Sequence, residues 1–287
     1  MIIVDMNQVM IANLMAQIGN HTNIEISENL LRHMVLNTIR GFKNKFGSKY
    51  GDLVFACDDK KYWRKEFYPY YKAHRKVARQ KSELDWTALF AKMDKIKQEL
   101  IDNFPYKIMQ IAGAEADDII GTLCQEYGVE LMNSTTEYIL ILSADKDFIQ
   151  LQVNANVEQY DPIRNRWIKS DSPQGYLLEH IARGDRGDGI PNVLSKDDCF
   201  INSRQRPLRK KMLEEILNCV DDIKINEEIT RNWVRNKTLI DLNYVPQNIK
   251  KSVIDTYINS SINKRDKLFN YFVEYKLKNL MENIGEF

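Results

Sequence analysis

The chain has 287 residues, 44% apolar and 28% charged, with a net charge of +1, enough to bury a sizeable core in one large domain or two smaller ones. No apolar run approaches the roughly 20 residues that span a bilayer, and no basic-then-apolar leader precedes the first strand, so a soluble cytoplasmic monomer is expected rather than a membrane or secreted protein. Cys57, Cys124, Cys199 and Cys219 are too scattered for a zinc module or a disulfide framework.

Met1 to Met6 reads as a short buried strand carrying Asp5, and Ile26 to Phe46 has helical apolar spacing with Ser27 placed to cap it. Leu53 to Cys57 is a second apolar run and ends at Asp58. From Lys60 to Lys81 the chain holds six Lys and three Arg against one Glu, so the remainder is net acidic. Within it, Tyr62, Trp63, Arg64, Lys65, Tyr71, Lys72 and Arg75 interleave rings with cations. Single-stranded nucleic acid is held by that combination, with charge following the backbone and rings stacking on bases. The bland alternative is an amphipathic helix with its aromatics in the core, which Pro69 interrupts.

Leu84 to Asn103 is helical by pattern, Tyr106 to Ile111 strand-like, and Glu115 to Tyr127 a helix that opens with Glu115, Asp117 and Asp118. Acids at a helix start also suit its dipole. Tyr138 to Ser143 reads as a strand, followed at once by Asp145 and Asp147. Such alternation predicts an α/β fold with a mostly parallel central sheet flanked by helices. After about Ser170 the pattern turns helical, with segments at Leu177 to Ala182, Leu208 to Val220, Ile249 to Ile258 and Lys267 to Met281. The expected division is an α/β domain over 1–183, with its basic segment at about 60–82, and a helical DNA-binding region over 184–287.

Each acid group lies at the end of an apolar run or the start of a helical pattern, and in an open α/β sheet such positions converge outside the carboxyl ends of the strands. Singly, each acid is a cap or a solvated charge. Together, so many carboxylates need cations, and oxygen-only ligands select hard ions, Mg²⁺ above all beside phosphate. Two such ions about 4 Å apart serve phosphodiester hydrolysis. Asp185 and Asp188 sit in the turn Gly184 to Pro191, whose glycines either only shape a turn or let backbone amides approach a nucleic-acid strand. Arg204, Arg206, Arg209, Lys210 and Lys211 form a weaker basic patch.

Taken together, Ile3-Val4-Asp5, Tyr62-Trp63-Arg64, Tyr70-Tyr71-Lys72, Glu115-Ala116-Asp117-Asp118, Ser143 to Phe148, Gly184-Asp185 and the terminal Glu286-Phe287 resemble the flap endonuclease and 5′-3′ exonuclease family of structure-specific 5′ nucleases, most closely its bacteriophage ribonuclease H branch. The resemblance covers most of the chain. It implies a PIN-like fold and a two-metal Mg²⁺ enzyme, with Mn²⁺ able to substitute, that removes RNA primers and 5′ flaps during replication. It assigns one ion to Asp58, Asp117, Asp145 and Asp147 and a second to Asp5, Asp185 and Asp188, with Glu115 and Asp118 assisting. The basic segment becomes an arch over the 5′ strand, with Lys72 and Arg64 as catalytic cations. Substrates would be DNA and RNA·DNA hybrids with 5′ ends or flaps, and partners a replication clamp and a single-stranded DNA-binding protein. The Gly-rich hairpin that holds a monovalent ion in cellular relatives is not evident after Asp188, so the Arg204 to Lys211 patch is the expected duplex grip. Ile284 and Phe287 offer either a docking tail or packing on the last helix.

Two rival readings remain. A topoisomerase-primase type metal fold would use Asp145 and Asp147 but leaves Asp5, Asp58 and the basic segment without a role. A scaffold that binds flaps without cutting has little use for so many repelling acids.

Overall fold

The computed structural model describes residues 1–18, 27–81, 84–128, 137–219 and 227–287. The chain runs β1 (Ile2–Asp5), α1 (Met6–Ile18), α2 (Glu28–Tyr50), β2 (Leu53–Cys57), α3 (Trp63–Phe67), α4 (Ala73–Gln80), α5 (Trp86–Asn103), β3 (Lys107–Gln110), α6 (Ala116–Tyr127), β4 (Ile139–Leu142), a 3₁₀ helix (Lys146–Val153), β5 (Val157–Asp161) and β6 (Arg166–Ile168). Helices α7 (Pro173–Arg183), α8 (Lys210–Asn218), α9 (Glu227–Ile240), α10 (Gln247–Asn259), α11 (Lys267–Glu274) and α12 (Lys278–Met281) follow.

The strands form one sheet in the order β3-β2-β1-β4-β5-β6. The first five are parallel and β6 is antiparallel. Because β2 lies on one side of β1 and β4 on the other, the strand order reverses beside β1, where α/β sheets open a crevice. Both faces are covered, which is why β1, β2 and β4 read as unbroken apolar runs. Alternate residues of β1 enter opposite cores: Ile2 and Val4 pack with α1, α2, α5 and α11, while Met1 and Ile3 pack with α6 and α10. Burying each such side chain contributes roughly 1.5–3 kcal/mol, enough to anchor a strand that ends in the buried carboxyl of Asp5. A third core joins Tyr68 and Tyr71, at the base of the basic segment, to Leu177 and Ile181 of α7 and Trp233 of α9. It docks the helical half against the basic segment.

The strands and helices read from the pattern correspond to β1 to β4, α2, α5 to α8 and α10, and Ser27 caps α2 by accepting from the Leu30 amide. Ile26, Ser82 and Val220, at the ends of expected segments, lie outside the described residues. Lys267 to Met281 is not one helix: Lys276 adopts a left-handed φ of 55° and divides α11 from α12. Nor is the carboxyl terminus a free tail. Phe287 is buried with its ring against Phe104 and Phe272. The arch, expected as one segment, is two short helices on either side of Pro69.

Candidate active site

Asp5 ends β1, Asp58 follows β2, and Asp145 follows β4, so three central strands each deliver an acid to the same rim. Local chemistry fixes each one. Asp5 accepts from the Gln8 amide at 3.0 Å and Asp58 from the Ala116 amide at 2.8 Å and the Asn7 side chain at 2.9 Å. Asp145 caps the 3₁₀ helix by accepting from the Asp147 amide at 3.0 Å. Between them a cleft of about 380 Å³ is lined by Asp5, Asp58, Asp117, Asp145 and Asp188, together with Lys72.

Asp188 arrives from the turn after α7. Gly184 and Gly189 both have positive φ there, and a Cβ on Gly184 would meet the Ile190 carbonyl at 2.3 Å, so the turn requires glycine. The side chain of Asn236 and that of Arg235, on α9, donate to the Pro191 carbonyl and hold the turn from behind.

The site is electrostatically unfavourable without cations. Burial, with the charges of Asp58 and Asp145, pushes Asp5 up to about 7 despite the Gln8 amide. Asp117 is raised well above the carboxylate range by burial and by Asp145 and Glu115, with Lys72 opposing. It accepts no hydrogen bond from any described residue. Burial raises Asp145 and Asp147 as well, each further raised by neighbouring carboxylates. Burial opposes the positive charge on Lys72, but Asp188 and Glu115 hold its pKa above the ordinary value. Repelling carboxylates, one of them without a donor, fit the needs of a hard divalent ion.

Asp147, His180 and Asp185 form a second grouping, bringing one ligand atom each within 4.8 Å of the others. The ring of His180 lies between the acids, Nδ1 at 3.4 Å from Asp147 and Nε2 at 3.3 Å from Asp185. Asp185 is half-buried, which raises its pKa, yet the His180 hydrogen bond carries it below the ordinary value.

A family model described as the 5′-3′ exonuclease N-terminal resolvase-like domain matches residues 1–176, more than half of the chain. The chain belongs to the 5′-3′ exonuclease family. A second model, the T4 RNase H C-terminal domain, matches residues 171–287 of this exonuclease. Ribonuclease H of Enterobacteria phage T4 is 31% identical across 99% of the chain and 95% of its own length. A 5′-3′ exonuclease of Buchnera aphidicola subsp. Schizaphis graminum is 27% identical across 55% of the chain and 53% of its own. The solved T5 D15 protein, co-crystallised with metal ions, shares the fold at a TM-score of 0.58 and 18% identity, covering 90% of this chain and 98% of that one. The chain is thus a 5′ nuclease, and among its described residues no helix is long and apolar enough to cross a membrane.

Four residues of this exonuclease sit elsewhere than the sequence suggested. Arg64 is buried, its Nε donating to the Leu239 carbonyl and its Nη1 paired with Glu115 at 3.0 Å and Asp118 at 2.8 Å. It cannot reach a phosphate and instead positions the two acids. Asp118 faces away from the cleft, since its other oxygen takes the Trp63 indole and the Glu115 amide. Tyr71 is buried and donates to Glu115 and Asp188, so it stacks on no base. Trp63 packs against the core beneath α6.

Glu115 already receives Lys72 at 2.6 Å besides Arg64 and Tyr71, which makes it a holder of cationic side chains more than of metal. Arg75 pairs with Asp188 at 2.5 Å. Exposed Lys65 sets its Nζ 4.6 Å from the Tyr62 ring centroid at the arch surface, and Arg204, Arg206, Arg209, Lys210 and Lys211 are all exposed.

Sequence reasoning missed His180, Asn7, Gln8 and Gln159. Gln8 accepts from Ser143 and the Ala144 amide, and Gln159 donates to the Ser143 and Asp145 carbonyls, so these neutral amides shape the loop that carries Asp145. Nothing in composition marks an amide as a brace, whereas His180, placed by α7 beside two acids, was legible as a ligand type.

The raised acids make stability pH-dependent with a definite sign. Asp5 has an ordinary value of 3.8 and a folded one of about 7, so folding takes up a proton between them, and stability present below that window is lost as pH rises through 7. His180 is raised above 6.5 against the effect of burial, by Asp185 and Asp147, and acts in the same direction. His74, lowered by burial and by Arg75, opposes them only below 6.5. The Met1 amino group, lowered from 8.0 by burial, opposes them toward pH 8, so in EDTA the melting temperature should fall between pH 6.5 and about 7, less steeply for His180→Ala, and Mg²⁺ should flatten the fall. A melting temperature that climbs across this range in EDTA would contradict these assignments.

Proposed function

We propose that this 5′ nuclease is a divalent-metal enzyme of phage DNA replication that removes RNA primers and 5′ flaps by cleaving DNA and RNA·DNA strands from the 5′ side. The observation that carries the reading is the meeting of five carboxylates and Lys72 in one cleft beside a second basic cleft lined by Lys60, Lys65, Lys76 and Arg79. Asp58, Asp117, Asp145 and Asp147 would hold one Mg²⁺ and Asp5, Asp185 and Asp188 the other, with Mn²⁺ an acceptable substitute.

Bound there, the ions would acidify the attacking water and offset charge on the departing 3′ oxygen. The chain's own groups do the rest. Lys72 offers an ammonium to the phosphate undergoing attack, Arg75 and Arg79 follow the strand, and the acids would hold the ions against which that phosphate is aligned. The P–O3′ bond breaks, leaving a 3′ hydroxyl and a 5′ phosphate. The helical half from about residue 184 would grip duplex through the exposed Arg204 to Lys211 patch. A clamp and a single-stranded DNA-binding protein remain the expected replication partners, engaged through surfaces other than the buried Phe287.

Cleavage of a 5′-labelled flap and a 5′-labelled RNA·DNA hybrid, with Mg²⁺ or EDTA, tests the reading. Mg²⁺-dependent products from the 5′ side are expected on both. Binding without cleavage under Mg²⁺ or Mn²⁺ would leave only a flap-binding scaffold.

A further inference from the structure

On the far side of the Asp188-Gly189 turn from the acid cleft lies a groove of about 590 Å³ lined by His74, Arg186, Phe200, Ser203, Arg204 and Gln205. The two openings meet at the start of α4. Lys72 and Arg75 line the acid cleft, whereas His74, between them in sequence, packs over Gly189 and lines the groove. No carboxylate among the described residues lines it. Arg186 and Arg204 are exposed, and neither guanidinium is paired with an acid among the described residues, although the chain as a whole has 40 acids for 41 Lys and Arg.

Phe200 is the second, independent observation. Its φ is +76°, a backbone conformation unfavourable for a bulky residue and found where surroundings impose it for a purpose. Packing does not supply that purpose, since Phe200 is only half-buried and belongs to none of the three cores. A ring set beside unpaired guanidiniums in a groove wide enough for a small ligand matches the chemistry of a nucleotide, charge for the phosphate and a face for the base. Inside a duplex both faces of a base are already stacked, and the groove is sized for one nucleotide rather than a terminal base pair, so the nucleotide it fits is an unpaired one.

We propose that this groove binds one unpaired nucleotide of the substrate junction, its phosphate between Arg186 and Arg204 and its base on Phe200. The inference rests on the nuclease reading and refines it: the groove would fix which nucleotide of the strand stands over the acids, and so the position of the cut.

Binding measured in EDTA by fluorescence anisotropy, with flap substrates carrying a single abasic site at successive positions around the junction, tests it. At one position the wild-type protein should lose roughly fivefold or more in affinity. Phe200→Ala should bind every substrate about as weakly as the wild type binds that one, with no further loss there, and Phe200→Tyr should restore the parent profile. Arg186→Ala, outside the patch assigned to duplex, should weaken all substrates alike and lower the salt slope by about one. An abasic profile for Phe200→Ala that parallels the wild type would overturn the proposal, as would an unchanged salt slope for Arg186→Ala. A further loss for Phe200→Ala at the sensitive position itself would reduce the groove to a non-specific surface, which equally refutes it. Wild-type cleavage of the same flaps in Mg²⁺ separates this failure from failure of the nuclease reading.

Discussion

Asp145→Asn should cut Mg²⁺-dependent cleavage on the order of a thousandfold while raising, not lowering, the melting temperature in EDTA. The two effects have one cause. Asp145 is raised by burial and by the charges of Asp188 and Asp185, so an uncharged side chain relieves repulsion in the metal-free protein. Asparagine keeps an oxygen to accept from the Asp147 amide, the bond that caps the 3₁₀ helix, so the local fold survives. What disappears is one negative ligand. Mg²⁺ stabilises the parent through mass action on the folded state, and the variant should show a smaller rise in melting temperature as Mg²⁺ is added. Single-turnover cleavage of a 5′-labelled flap and paired melts in EDTA and Mg²⁺ read both effects. Parent-like cleavage, or an unchanged Mg²⁺ response, would remove Asp145 from the metal site.

How far such a site can be read from sequence depends on which forces built it. The parallel strands were legible because burial on both faces leaves unbroken apolar runs, as in Ile139–Leu142. Strand β5 was not, because its sequence Val-Glu-Gln-Tyr-Asp puts Gln159 and Asp161 in the interior, Gln159 satisfied by the distant Ser143 carbonyl and Asp161 by the amides of the turn that follows it. Helix α1 follows β1 without a break and is apolar nearly all round, so no stripe distinguishes it from more strand. Helix α9 was hidden by polar residues, Asn232 and Asn236, which are buried because they bind the backbone of the turn.

The acids themselves followed a rule of position, the carboxyl ends of strands, and so could be collected from spacing. Which of their side chains face the cleft is another matter. Asp117 and Asp118 are adjacent on α6 and differ by about 100° in direction, so one lines the cleft and the other binds Arg64 and Trp63. Residue type alone does not separate them. The basic segment shows the same limit. Its net charge announced a partner, yet Arg64 and Tyr71 turned inward to organise Glu115, and the cations that face both clefts are Lys72, Arg75 and Arg79.

Lys72 therefore carries the second large expectation. It has a left-handed φ of 54°, its amide donates to the Asp188 carbonyl at 2.7 Å, and its ammonium meets Glu115 at 2.6 Å and Asp188 at 3.5 Å. The backbone already bears the unfavourable conformation with lysine present, so alanine adds no new strain of that kind, and Lys72→Ala isolates the loss of the charge. Two consequences separate a catalytic cation from a simple anchor. Single-turnover cleavage should slow about a hundredfold while affinity for the flap in EDTA falls only a few-fold, as for one lost phosphate contact. Stability in EDTA should also fall, because removing one partner strands the other's charge. The full effect for a buried pair is roughly 3–5 kcal/mol, and here it should be smaller, since Glu115 keeps Arg64 and Tyr71 and Asp188 keeps Arg75. Added Mg²⁺ should recover much of the lost melting temperature by replacing one positive charge with another, yet leave cleavage slow, because an ion bound among the acids does not stand where the ammonium meets the phosphate. Equal losses in rate and affinity would make Lys72 a phosphate anchor, and full recovery of cleavage by Mg²⁺ would show that it only held the acids in place.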